Sequence, residues 1–269
     1  MSRSVIENEP CREKITAAKT KVSTIKPASS HASNHVVLVG VGPGLGIALA
    51  EKFSAEGMSI SIFNRNIDLL KDIINKSHCR AENVHSYACD ATDERDFRKA
   101  LAAVVSRRGT PDIVIYLAQG FNPGTVLDTE VAVFEDNWRA NCLGAFIVGK
   151  FTAELMARRN SGTIIFAGAT SGTVGRAGYV NLAIGKFGLR ALSQVMAREL
   201  WPKGIHVAHV VIDADVAESP LGAHPTSEGV AMDPMDAAEV FYGLHKQPKS
   251  AWSQEIDLRP WNERFWKHC

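Results

Sequence analysis

The stretch H-V-V-L-V-G-V-G-P-G-L-G-I-A-L-A-E-K-F, His35–Phe53, decides the fold. His35–Val39 is a short, nearly continuous apolar run, the pattern of a strand covered on both faces. Glycines at 40, 42, 44 and 46 then read as a turn, and the residues from Ile47 follow a helical period. Glycine at a strand-to-helix junction permits a tight turn, lets a ligand approach the backbone, and lets the helix pack closely on the strand. A diphosphate rests there on the N–H groups of the helix start. The spacing G-x-x-x-G-x-G (Gly40, Gly44, Gly46) departs from the commoner G-x-G-x-x-G, which Gly42 nearly restores. The junction predicts a dinucleotide site.

Working outward, the same alternation runs to the end of the chain. Strands are expected at 59–63, 84–88, 112–116, 163–167, 206–212 and 252–258, each separated from the next by a helical stretch. Alternating strands and helices imply right-handed crossovers and a parallel sheet covered on both faces. The 269 residues suffice for one such domain, read as 35–269. Residues 1–34 carry few large apolar side chains and are expected to form a flexible arm. A net charge of +1 offers no field for nucleic acid or acidic membrane, and no apolar run is long enough to span one. The five cysteines, Cys11, Cys79, Cys89, Cys142 and Cys269, are odd in number and lack a C-x-x-C pair. Neither a disulfide framework nor a metal site is expected, and the cytoplasm is the expected compartment.

The second strand ends F-N-R-N, Phe63–Asn66. A site for NAD(H) usually has an acid here to bind the ribose hydroxyls. Arg65 instead offers a fixed guanidinium fork suited to a 2′-phosphate, which favours NADP(H) over NAD(H).

Together these residues resemble the short-chain dehydrogenase/reductase family, and the likeness runs from His35 to about Trp261. It implies an α/β fold: one doubly wound Rossmann domain, with a seven-stranded parallel sheet in the order 3-2-1-4-5-6-7. It also implies cofactor contacts at Gly40, Gly44, Leu45, Gly46, Arg65, Asp90, Ala118 and Lys186. Asp90 matches the acid that contacts adenine. Asn141 matches the helix asparagine that holds a water of the proton relay. Lys186 matches the lysine that binds the nicotinamide ribose and lowers the pKa of a catalytic tyrosine. Relatives commonly assemble through the helices that carry these two positions, so a homodimer or homotetramer is expected.

The departures from the family pattern are equally specific. The tyrosine position, four before Lys186, is Leu182, and the serine position is Ala169. The turn after the fourth strand reads Y-L-A-Q-G (116–120), and the Pro-Gly after the sixth strand is replaced by Ile212-Asp213. Carbonyl reduction needs a proton for the developing alkoxide and a donor to its oxygen, and leucine and alanine supply neither. Tyr179 and Ser171 are the candidates to stand in. The alternatives are packing at a helix start for Tyr179 and capping of a loop for Ser171, as for its neighbour Thr170. Asp213 and Asp215 follow the sixth strand at the edge where ligands bind, and are read equally as a base, a counter-ion or loop caps. His206 and His209 share a strand on opposite faces and form no metal pair. The segment 214–233 is expected to lid the pocket.

The expected activity is hydride transfer to a small, largely apolar carbonyl, imine or iminium, or enone by a non-standard mechanism. The alternatives are a non-redox enzyme of cyclase or isomerase type on the same fold, and an inactive nucleotide-binding scaffold.

Overall fold

The computed structural model describes residues 34–75, 77–79, 83–216, 225–226 and 229–262. The arm expected at 1–34 lies outside this set except for Asn34, as do Cys11 and Cys269. The strands are β1 (His35–Val39), β2 (Ser59–Asn64), β3 (Val84–Ala88), β4 (Ile113–Tyr116), β5 (Gly162–Ala167), β6 (Ile205–Ile212) and, last in the chain, β9 (Glu255–Leu258). A two-stranded antiparallel ribbon, β7 (Pro225–Thr226) with β8 (Gly229–Val230), lies in the segment expected to be a lid. The helices are α1 (Leu45–Ala55), α2 (Ile67–Asn75), α3 (Glu94–Arg108), α4 (Val131–Trp138), α5 (Gly144–Ala157), α6 (Val180–Leu200) and α7 (Pro234–Lys246).

Seven strands form one parallel sheet in the order β3-β2-β1-β4-β5-β6-β9, the doubly wound order expected. Its two faces are separate cores. Val37 and Val39 of β1 join Phe97, Val148 and Leu189 on one side; Val36 and Leu38 join Leu49, Phe53 and Phe241 on the other. This is why the central strands β1, β4 and β5 read as nearly unbroken apolar runs rather than alternating ones.

The last strand begins three residues later than its sequence pattern suggested. Trp252 stacks on His206 at 4.8 Å, and the Ser253 backbone N–H donates to Gln247 Oε1 at 2.7 Å, so these residues serve a corner packing instead of the ladder. Between α4 and α5 the chain makes a π-helical turn at Arg139–Leu143, which holds Asn141. Such a turn is common at functional sites and has no sequence period of its own.

Candidate active site

A cleft of about 670 Å³ opens at the carboxyl edge of the sheet, where the crossovers from β1 and β4 diverge to opposite faces. This is the topological switch point where open α/β sheets bind ligands. The glycine turn forms one wall. Gly40 has φ +82°, and a Cβ on it would lie 2.4 Å from the Ala118 Cα, so only glycine fits between the ends of β1 and β4. A Cβ on Gly46 would meet the Val41 Cα at 2.9 Å, which sets how closely α1 sits on β1. Helix α1 has Gly44 as its N-cap, no side-chain cap and no acid in its first turn. The first-turn N–H groups, including those of Leu45 and Gly46 on the cleft wall, therefore keep their capacity for an anion. The Asn64 amide donates to Val41 O at 2.7 Å and ties the end of β2 to the turn. Arg65 stands exposed at the lip beside it. Asp90 is held rigid because its Oδ1 accepts from the backbone N–H and hydroxyl of Thr92, at 2.9 and 2.8 Å. These residues fit a dinucleotide: an open glycine cradle, an uncapped helix start, an exposed cation at the lip, and an oriented acid farther along.

The other end of the cleft is apolar around one amine. Lys186 is 1% exposed, lines the cleft, and donates from Nζ to Ala167 O at 3.0 Å. Burial alone lowers its pKa, from an ordinary 10.5 to about 8. Ala167, Gly168, Ala169, Leu182 and Ile212 line the same end. Ala169 and Leu182 thus both line the cleft, and neither side chain carries a hydroxyl.

The expected site residues divide into two groups. Gly40, Gly44, Leu45, Gly46, Arg65, Asp90, Ala118 and Lys186 all line the cleft. Asn141, Ser171 and Tyr179 are not among its lining residues. Asn141 acts from behind: its amide donates to Gly120 O and Asn137 O, each at 2.9 Å, pinning the loop after β4 to the π turn. Ser171 lies inside a short 3-10 turn, Thr170–Gly172. Tyr179 is the N-cap residue before α6, with φ −123° and ψ 25°, outside the helical geometry that carries Lys186. Its ring instead leans on Phe121, centroids 6.4 Å apart, and Phe121 lines the cleft.

Asp213 is committed to structure. It accepts from the Thr170 hydroxyl and pairs with Arg259, joining the ends of β6 and β9 to the turn after β5. Asp215 is exposed and lines the cleft. His206 and His209 are both buried, on opposite faces of β6, and among the described residues no cluster of metal-ligating side chains occurs. Phe121 carried no sequence signal, because loop 117–130 has no period. Nor did the position of His209 behind Gly168: a Cβ on Gly168 would lie 2.2 Å from His209 Nε2.

The model of the family described as short chain dehydrogenase matches residues 34–216. The chain belongs to that family of oxidoreductases. A short-chain dehydrogenase from Rhodopseudomonas palustris is 33% identical, with a TM-score of 0.68, 85% of this chain covered and 99% of that one. A metagenomic short-chain oxidoreductase solved in complex with NADP shares the fold at 21% identity and a TM-score of 0.72, over 86% of this chain and 99% of that one. Among curated relatives, 3-ketodihydrosphingosine reductase of Dictyostelium discoideum is 29% identical over 188 residues, 62% of this chain. This chain spans only 56% of that protein's length. The 3-oxoacyl-(acyl-carrier-protein) reductase MabA of Mycobacterium tuberculosis is 27% identical over 191 residues, 70% of this chain and 72% of that one. The family uses a nicotinamide cofactor. Among the described residues, no helix is long and apolar enough to cross a membrane.

Proposed function

We infer that this protein is an NADP(H)-dependent oxidoreductase acting on a small, largely apolar carbonyl, imine or iminium, or enone. The observation that carries this reading is the pairing, in one cleft, of a complete glycine cradle with an apolar wall, Leu182 and Ala169, around the buried Lys186. When bound, the nicotinamide supplies a hydride. This chain's residues then have to orient the acceptor and move at most one proton. Lys186 is the buried proton carrier at that end of the cleft, and a pKa of about 8 keeps it charged yet ready to donate near neutrality. Acceptors that need little protonation suit the wall best, because neither Leu182 nor Ala169 can hold an oxyanion. Asn141 supports the loop opposite, through Gly120. Tyr179 acts at most through Phe121, and Ser171 through the turn that bears Ala169.

Arg65 supports NADP(H) over NAD(H), since no acid stands at the end of β2 to claim the ribose hydroxyls. A homodimer or homotetramer through α5 and α6 is supported by the exposed Phe146, Ile184, Phe187 and Val195 on those helices. The three described cysteines are free, which suits the cytoplasm.

The deciding assay follows reduced-nicotinamide absorbance with an apolar ketone, a cyclic iminium and an enone in turn. NADPH consumption matched by reduced product is the expected result. Product without NADPH consumption would favour a cyclase or isomerase, and tight nucleotide binding with no product from any acceptor would favour a scaffold. Arg65→Ala should weaken NADP(H) by about 10- to 100-fold and leave NAD(H) unchanged, the size of a charge-assisted hydrogen bond to phosphate. Equal loss for both nucleotides would remove the NADP(H) assignment.

A further inference from the structure

The environment of Lys186 is unusual for a lysine. It has one described hydrogen bond, to the Ala167 carbonyl, and among the described residues no carboxylate pairs with it. Leu182 lies one helical turn earlier on α6, so the side of the amine where the family pattern places a phenol faces a hydrocarbon side chain. Yet the residue lines the cleft, so a ligand that enters can meet it. A desolvated amine against an apolar wall, reachable only through a cleft, is the arrangement that makes lysine a nucleophile toward carbonyl carbon.

We propose that Lys186 is a covalent capture site for small apolar aldehydes, its Nζ condensing with the carbonyl carbon to form an imine. In the step, the amine lone pair forms the C–N bond, the carbonyl oxygen takes up a proton, and the nitrogen loses one. The carbinolamine then expels water as the C=N bond forms. Amine and aldehyde give imine and water, with no oxidant or reductant. The selectivity comes from the wall: the side chains of Ala167, Ala169, Leu182 and Ile212 offer contact to a hydrocarbon body and, beside Lys186 itself, no charged side-chain donor to a carboxylate or phosphate. The lowered pKa of Lys186 adds to this. At pH 7.5 the free-amine fraction is about two hundred times that of an ordinary surface lysine. Capture is an activity beyond the hydride transfer inferred above and does not depend on it.

The test uses the full chain, free of nucleotide, with benzaldehyde and sodium cyanoborohydride as the trapping reagent near neutral pH. Peptide mapping by mass spectrometry is expected to place one benzyl group per chain on Lys186, formed at least tenfold faster than on any other lysine or the α-amine. The map of the unaltered protein decides the matter without any variant, and Lys186→Arg should lose the fast label. Labelling spread over surface lysines with no preference for Lys186, or no label on Lys186, overturns the proposal. Fast labelling without NADPH turnover would remove the oxidoreductase reading alone, and turnover without labelling would remove capture alone.

Discussion

Replacing Lys186 by methionine tests the reasoning about the site at the level of stability. Methionine keeps an unbranched chain of similar length and removes the charge. Lowering the amine pKa from 10.5 to about 8 means that the folded protein holds the ammonium less favourably than the unfolded chain does, by about 3 kcal/mol. Against this, the variant loses the hydrogen bond to Ala167 O, about 1 kcal/mol, or somewhat more because the carbonyl is left unpaired. The net expectation at pH 7 is a variant more stable by about 1–2 kcal/mol. For a domain of this size that raises the melting temperature by about 2–8 °C.

The pH dependence follows from the direction of the shift. Between about 8 and 10.5 the unfolded chain binds the proton and the folded one does not, so the unaltered protein gains stability as pH rises through that window. It loses that gain as pH falls back through about 8. The advantage of Lys186→Met should therefore shrink across the window and turn into a deficit of about 1 kcal/mol above it, the lost hydrogen bond to Ala167 O. Urea titrations of nucleotide-free protein at a series of pH values measure both effects. A variant less stable at pH 7, or a stability difference that does not change with pH, would refute the account of Lys186 as a desolvated, unpaired cation. A stabilised variant that no longer binds nucleotide would place the lysine among residues kept for function at a cost in stability.

Two further outcomes follow from close approaches in the site. Gly40→Ala puts a methyl 2.4 Å from the Ala118 Cα at a positive φ, so it should weaken nucleotide binding by more than tenfold in a titration and also lower the melting temperature. Gly168→Ala drives a methyl into His209, whose ring is held by Glu255 at 2.9 Å. It should cost about 1–3 kcal/mol in urea unfolding, and clearly less when His209 is also alanine; equal costs in the two backgrounds would show that the ring is not the obstacle.

Much of the nucleotide end was legible because its determinants are local. A tight turn needs glycine whatever surrounds it, and the end of β2 either carries an acid or does not. Leu182 and Ala169 could likewise be counted back from Lys186, and both line the cleft as the count implied. Tyr179 stands at the N-cap of α6, where ψ is 25°, so the helical period of α6 does not set where its side chain lies relative to Lys186. Asp213 left three readings open, and Arg259, 46 residues away, decides among them by pairing with it.

The sequence by itself determined the strand–helix alternation, the parallel sheet, the glycine turn between β1 and α1, and that positions 169 and 182 carry no hydroxyl. Each of these depends on residues within a few turns of one another. Only the tertiary structure decided which residues reach the cleft and which stand behind it: Phe121 in front of Tyr179, Gly168 in front of His209, and Asn141 pinning Gly120 from a π turn. The physical reason is that such neighbours are set by register between strands whose sequence separation is large. His209 meets Glu255 because β6 and β9 pair at that rung, and no periodicity within either strand specifies the partner.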